Sequence, residues 1–328
     1  NDALTVLVSG GESNTVGTHT ARATGLSGDK SGNYILPEDA AKDYIIRQSG
    51  SEIVNVTTDK TEYHYGETIT VNATVVATNI AARNLNPADG QIALFQGEVQ
   101  LGEGVTLNEN GTGTLTYRTT EKLLNTGKQE LSVRFLGTDN LASSVSSKSV
   151  EIRPKALAVD FSGIVKKVYD GTTVSDGTGL TPEFEGKIEG DTVLISAKYV
   201  YKSAAVGQCR VKVSDMKLTG EDAKWYSLTA SEVEGDWGEI LRRQVTVTAE
   251  AQSKVYGTEE DPKLTYQTSG MVSGEVLSGH LIREEGETVK EGGYGILQGT
   301  LTDENNPNYA IHYVEAVMSI QPKPVSLI

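Results

Sequence analysis

An internal repeat dominates this amino-acid sequence and limits the folds open to it, because each copy of such a repeat is one small structural unit. Three stretches align with one another, at residues 16–36, 206–228 and 291–311. Each contains a glycine, an alternating stretch, a leucine and a polar turn, and then a tyrosine followed by an apolar strand. The aligned tyrosines are Tyr34, Tyr226 and Tyr309. The sequence therefore predicts an array of similar modules.

The second and third copies also share a beginning. KVYDGT at residues 167–172 and KVYGT at residues 254–258 each follow an alternating strand. The first copy has no such beginning, and residues 1–10 resemble residues 190–199 from the middle of the next copy. We therefore expect residues 1–49 to be the C-terminal part of a truncated module, and the chain to be a fragment of a longer protein.

The region from Gly50 to Arg153 has a different pattern of short strands separated by turns. TITVNATVVAT at residues 68–78 alternates as a half-buried strand does. NENGTG at residues 108–113 contains Asn-Gly, which predicts a hairpin between the flanking strands GVTL and TLTYR. Short strands at this spacing predict a sandwich. Only residues 37–44 and 274–281 have even a weak helical pattern, enough for a turn or two.

The charge and cysteine content exclude several classes of partner and site. The chain has 44 Asp and Glu against 29 Lys and Arg, a net charge of −15, which disfavours nucleic acid and anionic membranes. One cysteine and four scattered histidines cannot build a disulfide framework or a Cys/His zinc site. No apolar run approaches the ~18 residues of a membrane span, so we expect no membrane insertion by these residues.

The pattern from Thr57 to Ile152 resembles a bacterial immunoglobulin-like (Ig-like) domain of the type found in surface proteins. The segments that carry this resemblance include TDKTEYHYGETITVNATV near its start and GKQELSVRFLGTDNLASS near its end. The resemblance lies in the spacing of turns and strands, since no single motif is diagnostic. It implies an Ig-like β-sandwich.

The repeats resemble two other modules of large bacterial surface proteins. KVYDGTTV, followed by EGDTV and VG, resembles the YDG type, and KVYGTEEDPKLTY, followed by GEVLSGHLIREEGE, GTLT and NPNYAI, resembles the MBG (YGX) type. Together the resemblances cover nearly the whole chain. They imply secreted, tandem, all-β modules of an adhesin-like or stalk-like protein.

These observations predict an all-β chain of small modules in an elongated array, in which an Ig-like sandwich is flanked by β-rich, β-grasp-like repeats. The expected bounds are 1–49 for the truncated module, 50–154 for the Ig-like module, 155–243 for the YDG-type module and 244–328 for the MBG-type module.

Acidic loops are the only candidates for a metal site. DKSGN, EDAK and DENNPN occupy one repeat position and hold several oxygen donors, and Asp303–Asn306 is the best calcium candidate among them. None has the ligand spacing of an EF-hand loop, and lysines intrude in two of them. Plain turns rich in Asn, Asp and Gly explain all three loops more simply, so we predict no metal site.

The chain offers no convergent set of catalytic residues. Nothing places two carboxylates together as a glycosidase requires, no G-x-S-x-G segment appears, and the histidines lie in unrelated contexts. The glycine-rich segments at residues 10–13 and 291–295 have no following helix to form a phosphate site. We therefore predict no catalytic residue, no cofactor and no enzymatic activity.

The tyrosines and the cysteine receive individual predictions. Tyrosines that recur in the repeat, which include Tyr169 and Tyr256, are expected in module cores. Those outside the repeat frame are better candidates for a surface contact with a ligand: Tyr63, Tyr65 and Tyr117. Cys209 shares a strand face with Val211 and Val213, so we expect a core thiol that reacts slowly.

The leading functional hypothesis is a monomeric, non-catalytic segment of a bacterial surface or secreted protein. It would act as stalk or spacer at the cell surface or cell wall, with a host or cell-surface glycan or glycoprotein as an adhesive partner. The alternative is a glycan- or glycoprotein-binding module appended to an extracellular enzyme. No ligand-binding residue is assigned by the sequence.

Overall fold

The computed structural model describes residues 2–13, 15–79 and 87–325. The chain divides into two compact units: unit 1 comprises Asn1–Lys155 and Lys224–Tyr226, and unit 2 comprises Ala156–Ala223 and Ser227–Ile328. In the described ranges, helical structure is limited to short 3₁₀ turns at Ser31–Asn33, Pro87–Asp89, Thr119–Glu121 and Ala223–Trp225. The all-β prediction is confirmed.

Residues 1–49 of unit 1 contribute one antiparallel sheet. Its strands, in sheet order, are β1 (Thr5–Ser9), β2 (Gly17–Ser27) and β3 (Ala41–Ile46). None of the described residues in this segment is fully buried, so the sheet has no core of its own. The helical pattern expected at residues 37–44 is wrong, because residues from Ala41 onward pair with β2 and the Thr20 hydroxyl donates to Asp43 Oδ1 at 2.6 Å. The assignment of this segment as half a module stays a prediction.

The rest of unit 1 is a two-sheet sandwich, as the Ig-like resemblance predicts. One sheet has the order β4-β6-β9 and the other β5-β11-β10-β7-β8. All pairs are antiparallel except β5 with β11, which run parallel. The strands are β4 (Ser51–Thr58), β5 (Glu62–His64), β6 (Thr68–Ala77), β7 (Gln91–Gln96), β8 (Val99–Thr106), β9 (Thr112–Arg118), β10 (Gly127–Phe135) and β11 (Ser144–Arg153).

The alternation read in the sequence fills the space between these sheets. Along β6, the buried side chains are Ile69, Val71, Ala73 and Val75, while the intervening polar residues face outward. Leucine, valine and aromatic side chains from both sheets complete the core. Burial of alternate apolar side chains fixes the register of such a strand, because a slip of one residue would expose all of them.

The Asn-Gly turn forms, but the hairpin predicted around it does not. Asn108 N–H donates to Thr112 O at 2.9 Å and Gly111 adopts a φ of +71°. However, β8 pairs with β7 and β9 pairs with β6, so the two flanking strands belong to opposite sheets. A turn motif specifies only a local chain reversal, whereas the strand partner is decided by which apolar faces the two sheets must bury.

The first part of unit 2 is a second pair of sheets. Their orders are β15-β12-β18 and β13-β19-β17-β16-β14, with β13 and β19 parallel. The strands are β12 (Lys155–Gly163), β13 (Val165–Val168), β14 (Val174–Ser175), β15 (Leu180–Glu185), β16 (Leu194–Tyr201), β17 (Gly207–Thr219), β18 (Tyr226–Leu228) and β19 (Val233–Leu241).

The last part of unit 2 repeats this plan. Its sheets have the orders β22-β20-β25 and β21-β26-β24-β23, with β21 and β26 parallel. The strands are β20 (Arg243–Ala249), β21 (Gln252–Val255), β22 (Tyr266–Ser269), β23 (Ile282–Arg283), β24 (Tyr294–Leu297), β25 (Tyr309–Val314) and β26 (Ala316–Gln321). The helical turn expected at residues 274–281 is wrong, because this loop instead bonds through Ser278 N–H to Asn306 Oδ1 at 2.7 Å.

The repeat in the sequence is therefore a repeat of sheet topology, in which β13 and β19 correspond to β21 and β26. The described residues of both parts contain no helix of the kind a β-grasp fold packs on its sheet. One continuous cluster of buried apolar side chains runs through the whole of unit 2. The two parts of unit 2 thus share a core.

Candidate functional site

The acidic loop Asp303–Asn306, the best calcium candidate, uses its polar side chains in hydrogen bonds and an ion pair within the protein. Asp303 accepts the Ile311 N–H at 2.8 Å through Oδ1 and pairs with Arg242 at 3.1 Å through Oδ2. Asn306 donates to the carbonyls of Ser278 and Thr302, both at 2.9 Å. Across the described ranges, no group of three His, Cys, Asp or Glu side chains is arranged to hold a metal ion.

The tyrosines expected to be available for a surface contact are buried, so that expectation is wrong. Tyr63, Tyr65 and Tyr117 all lie in the interior of unit 1. The Tyr63 hydroxyl donates to Asp59 Oδ1 at 2.6 Å, and the Tyr117 hydroxyl accepts the N–H groups of Leu123 and Leu124. The Tyr63 and Tyr117 rings thus fill core volume while their hydroxyls satisfy polar groups at the edge.

Cys209 lies on β17 beside the fully buried Val211 and Val213, but it is only partly buried itself. Burial raises the pKa of the Cys209 thiol. Its slow reactivity stays a prediction, for which a raised pKa is the physical reason, since the thiolate is the reactive form.

The residues that the structure brings together are the motif tyrosines of the repeat. Tyr169, from KVYDGT, directly follows β13, and its N–H donates to Leu241 O at 2.9 Å, which continues the parallel pairing of β13 with β19. Tyr309, from NPNYAI, begins β25 in the next module. The two rings meet edge to face, with centroids 5.6 Å apart and an interplanar angle of 81°.

Glu275 joins these two tyrosines. Its Oε1 accepts the Tyr169 hydroxyl at 2.7 Å and its Oε2 accepts the Tyr309 hydroxyl at 2.5 Å. The Tyr309 oxygen also accepts the Val272 N–H at 3.2 Å. Both rings are buried and Glu275 is partly buried, and hydrogen bonds to a charged acceptor are stronger than those between neutral groups. A carboxylate of one module thus holds a tyrosine of each module.

Both hydroxyls are held in the protonated, donating form. The hydrogen bond to Glu275 raises the pKa of Tyr169, and burial adds to the effect. For Tyr309, burial followed by the bond to Glu275 raises the pKa to about 12. A negative carboxylate beside a phenol disfavours a second negative charge, which is the direction observed here.

Backbone groups complete this contact, which we call the unit 2 joint and define by Tyr169, Glu275 and Tyr309. Val206 N–H, in the loop between β16 and β17, donates to Asn308 Oδ1 at 3.1 Å. Arg243 donates from Nη1 to Tyr169 O at 3.3 Å. Gly171, with a φ of +75°, brings the chain so close that a Cβ there would lie 3.4 Å from Glu275 Oε1.

Unit 1, which includes Lys224–Tyr226, contains a second contact of this kind. Tyr65 follows β5, and its N–H donates to Arg153 O at 2.9 Å, just as Tyr169 does to Leu241. The Tyr65 ring stacks on Trp225 at 5.1 Å and meets Tyr226 edge to face at 5.5 Å and 80°. Since Tyr226 and Tyr309 occupy one repeat position, the same pair of motif tyrosines meets in both units.

Four charges form a further cluster in the last module. Lys254 Nζ, almost fully buried, lies 2.7 Å from Asp261 Oδ1 and 2.6 Å from Glu287 Oε2, and Arg283 pairs with the same two carboxylates. The bond to Asp261, followed by the bond to Glu287, raises the pKa of Lys254. Lys254 therefore stays charged, and its ion pairs hold the segments that carry Asp261 and Glu287 together.

The unit 2 joint gives the candidate site a mechanical role, because it fixes the two modules of unit 2 against each other. The sequence predicts Tyr169, Tyr226 and Tyr309 as core residues and Tyr65 as a candidate for a surface contact, and all four are buried. The core prediction is wrong for two other repeat tyrosines, Tyr34 and Tyr256, which are 47% and 49% exposed. Glu275 and Asn308 were not singled out, yet both lie inside motifs that carry the family resemblance, GEVLSGHL and NPNYAI. Their place in those motifs was the signal available.

Comparison with known families agrees with the predicted modules. The model of the bacterial Ig-like domain (group 3) matches residues 56–153, that of the YDG domain matches residues 153–233, and that of the MBG domain (YGX type) matches residues 245–319. The resemblances drawn from the motifs are confirmed, and the families matched are not catalytic ones. No curated protein matches the chain.

Several solved structures match parts of the chain at low identity and low TM-score. A putative membrane-anchored protein from Corynebacterium diphtheriae is 13% identical over 63% of this chain and 41% of its own, with a TM-score of 0.24. The fibronectin(III)-like modules of Clostridium thermocellum CbhA are 17% identical over 57% and 94%, with a TM-score of 0.21. A C-terminal fragment of intimin, solved in complex with the intimin-binding domain of its translocated receptor, is 13% identical over 60% and 66%, with a TM-score of 0.24.

Among residues 2–13, 15–79 and 87–325, no helix has both the length and the apolar character needed to cross a bilayer.

Proposed function

We propose that this tandem of a bacterial Ig-like domain, a YDG domain and an MBG domain is a non-catalytic stalk or spacer in an adhesin-like bacterial protein. The observation that carries the proposal is the unit 2 joint. A spacer must transmit orientation from one module to the next, and a carboxylate shared by two buried tyrosines resists bending more than a flexible linker does.

The proposed setting is the outside of the cell, either on its surface or as part of a secreted protein. The families matched are modules of bacterial surface proteins, and tandem arrays of small modules suit a role that holds another domain away from a surface. The acidic charge of −15 keeps such a chain soluble and away from nonspecific contact with anionic surfaces.

Small-angle X-ray scattering tests the spacer role. A compact protein of 328 residues has a radius of gyration of roughly 20 Å. Four modules in a line, each with strands of ~8–10 residues at ~3.3 Å per residue, are expected to give nearly twice that value. A measured radius close to the compact figure would contradict the proposal.

A glycan array separates a spacer from a recognition module. We expect no specific binding by this chain alone, and specific binding to a glycan or glycoprotein would favour the alternative of a binding module. Turnover of a polysaccharide, lost when two neighbouring carboxylates are changed, would overturn both.

A further inference from the structure

Tyr256 occupies the same structural position as the two joint tyrosines. Each of the three directly follows a short strand that runs parallel to the last strand of its module. Each also donates its N–H to the final residue of that last strand: Tyr65 to Arg153 O at 2.9 Å, Tyr169 to Leu241 O at 2.9 Å and Tyr256 to Gln321 O at 2.8 Å. The backbone therefore presents the three rings in one way.

The three positions differ in what covers the ring. Tyr169 is 6% exposed beneath Tyr309 of the following module, whereas Tyr256 is 49% exposed. The glycines that follow these two tyrosines, Gly171 and Gly257, also differ in whether another segment packs against them. Gly171 lies against Glu275 and Val272, while Gly257, with a φ of +86°, has no atom within 4 Å of the position a Cβ would take. Tyr256 is thus the uncovered member of the set.

A cleft of about 750 Å³ adjoins the exposed ring. It is lined by Tyr256, by Thr288 and Val289 in the loop between β23 and β24, and by the outgoing segment 322–325. In the preceding module, the corresponding loop between β16 and β17 supplies Val206, which bonds Asn308 of the next module. The cleft therefore consists of the same elements that form the covered face at Tyr169.

The outgoing segment repeats the sequence that leads into a module elsewhere in the chain. Residues 152–157 read IRPKAL and continue into β12, which begins at Lys155. Residues 320–325 read IQPKPV, so Lys323 stands where Lys155 does. The match predicts that Lys323 is placed to begin the first strand of a module.

We propose that the cleft at Tyr256 is a docking site for one further module of the YDG or MBG type, joined to this chain through Lys323. A tyrosine at the position of Tyr309 would pack on the Tyr256 ring. A carboxylate at the position of Glu275 would accept its hydroxyl. This inference rests on the geometry of the two joints and goes beyond the spacer function, which can fail while the docking site stands.

The test extends the chain and follows the accessibility of Tyr256. A second copy of residues 244–328 is placed directly after Lys323, so that Lys323 leads into the appended strand as Arg243 leads into Gln244 in this chain. Nitration by tetranitromethane is then mapped by mass spectrometry. If Tyr256 becomes as covered as Tyr169, its nitration should slow roughly eightfold, the ratio of 49% to 6% exposure. Tyr34, 47% exposed, is the internal reference and should not change.

Two further chains make the result decisive. Placing Tyr309→Ala in the appended copy should restore nitration of Tyr256, because it removes the covering ring. Appending residues 156–241 directly after Lys323 instead offers a YDG-type module and should also protect Tyr256. An appended module that folds while Tyr256 stays reactive overturns the proposal, and so does failure of both modules to fold at this site. The unextended chain could also protect Tyr256 by forming a dimer, which sedimentation would detect. That result would assign the cleft to a second copy of the chain and would overturn the proposal as well.

Discussion

Replacing Glu275 by alanine tests the unit 2 joint most directly. The change removes the acceptor of two hydroxyls, those of Tyr169 and Tyr309, whose side chains are buried. A buried donor left without a partner costs about 1–3 kcal/mol. Because the Tyr309 oxygen keeps its bond from Val272 N–H, only its donor function is lost. We therefore expect Glu275→Ala to lower the free energy of unfolding of unit 2 by about 2–5 kcal/mol.

Calorimetry and urea unfolding measure this loss. For a unit of this size, each kcal/mol lowers the melting temperature by about 2–4 °C, so the expected decrease is roughly 4–20 °C. Glu275→Gln should cost less, because its amide oxygen still accepts one hydroxyl and its NH₂ group can donate to the other. Glu285→Ala is the matched control, since Glu285 is an exposed carboxylate of the same module, and it should change stability by less than about 0.5 kcal/mol.

A double-mutant cycle decides whether the hydroxyl bonds are the cause. In the Glu275→Ala background, Tyr169→Phe removes a hydroxyl that no longer has its acceptor, so it should recover part of the lost stability. The expected coupling is about 1–2 kcal/mol, within the usual range for residues in contact. Additive effects of the two substitutions, or equal losses for Glu275→Ala and Glu285→Ala, would refute the reasoning.

Four further predictions follow from individual residues. Tyr117→Phe leaves two backbone N–H groups without their acceptor and should lower the stability of unit 1 by about 1–3 kcal/mol in urea unfolding; an unchanged midpoint would contradict the bonding. Gly111→Ala should lower the free energy of unfolding of unit 1 by more than about 1 kcal/mol, because φ is +71° and the new Cβ would lie 2.5 Å from the carbonyl oxygen of Val75. A variant as stable as the wild-type protein would contradict this turn geometry. The pKa of Tyr309 is raised from 10.0 to about 12, so its contribution to stability is complete below pH 10 and is lost as the pH rises through 12. Tyr309→Phe should flatten that alkaline loss, and an identical pH profile would contradict it. Cys209 should react slowly with a thiol reagent until the protein unfolds, and rapid stoichiometric labelling of the native protein would show the prediction wrong.

The strands and modules could be predicted from the sequence, because apolar alternation and family motifs are properties of neighbouring residues. The strand at residues 68–78 was predicted from alternation alone and is observed as β6, at Thr68–Ala77. The same local reasoning was wrong where the pattern was ambiguous. Residues 37–44 hold good helix formers, yet pairing of β3 with β2 satisfies their backbone groups and overrides that preference.

Tertiary contacts decided the role of the tyrosines. The sequence predicts Tyr63, Tyr65 and Tyr117 as surface candidates because they lie outside the repeat frame, but packing within unit 1 buries them. The joint was likewise invisible in the sequence, because Tyr169 and Glu275 are 106 residues apart and no local pattern records such a pair.

The amino-acid sequence by itself therefore determined that this chain is a tandem of β modules with recurrent tyrosines, since these features follow from periodicity and motif. Only the tertiary structure decided which of these tyrosines is buried in a contact between modules and which is exposed. Tyr169 and Tyr256 stand in nearly the same local sequence, KVYDGT and KVYGT, yet one is covered and the other is exposed. Burial depends on what packs against a residue, and that is a property of the assembled fold.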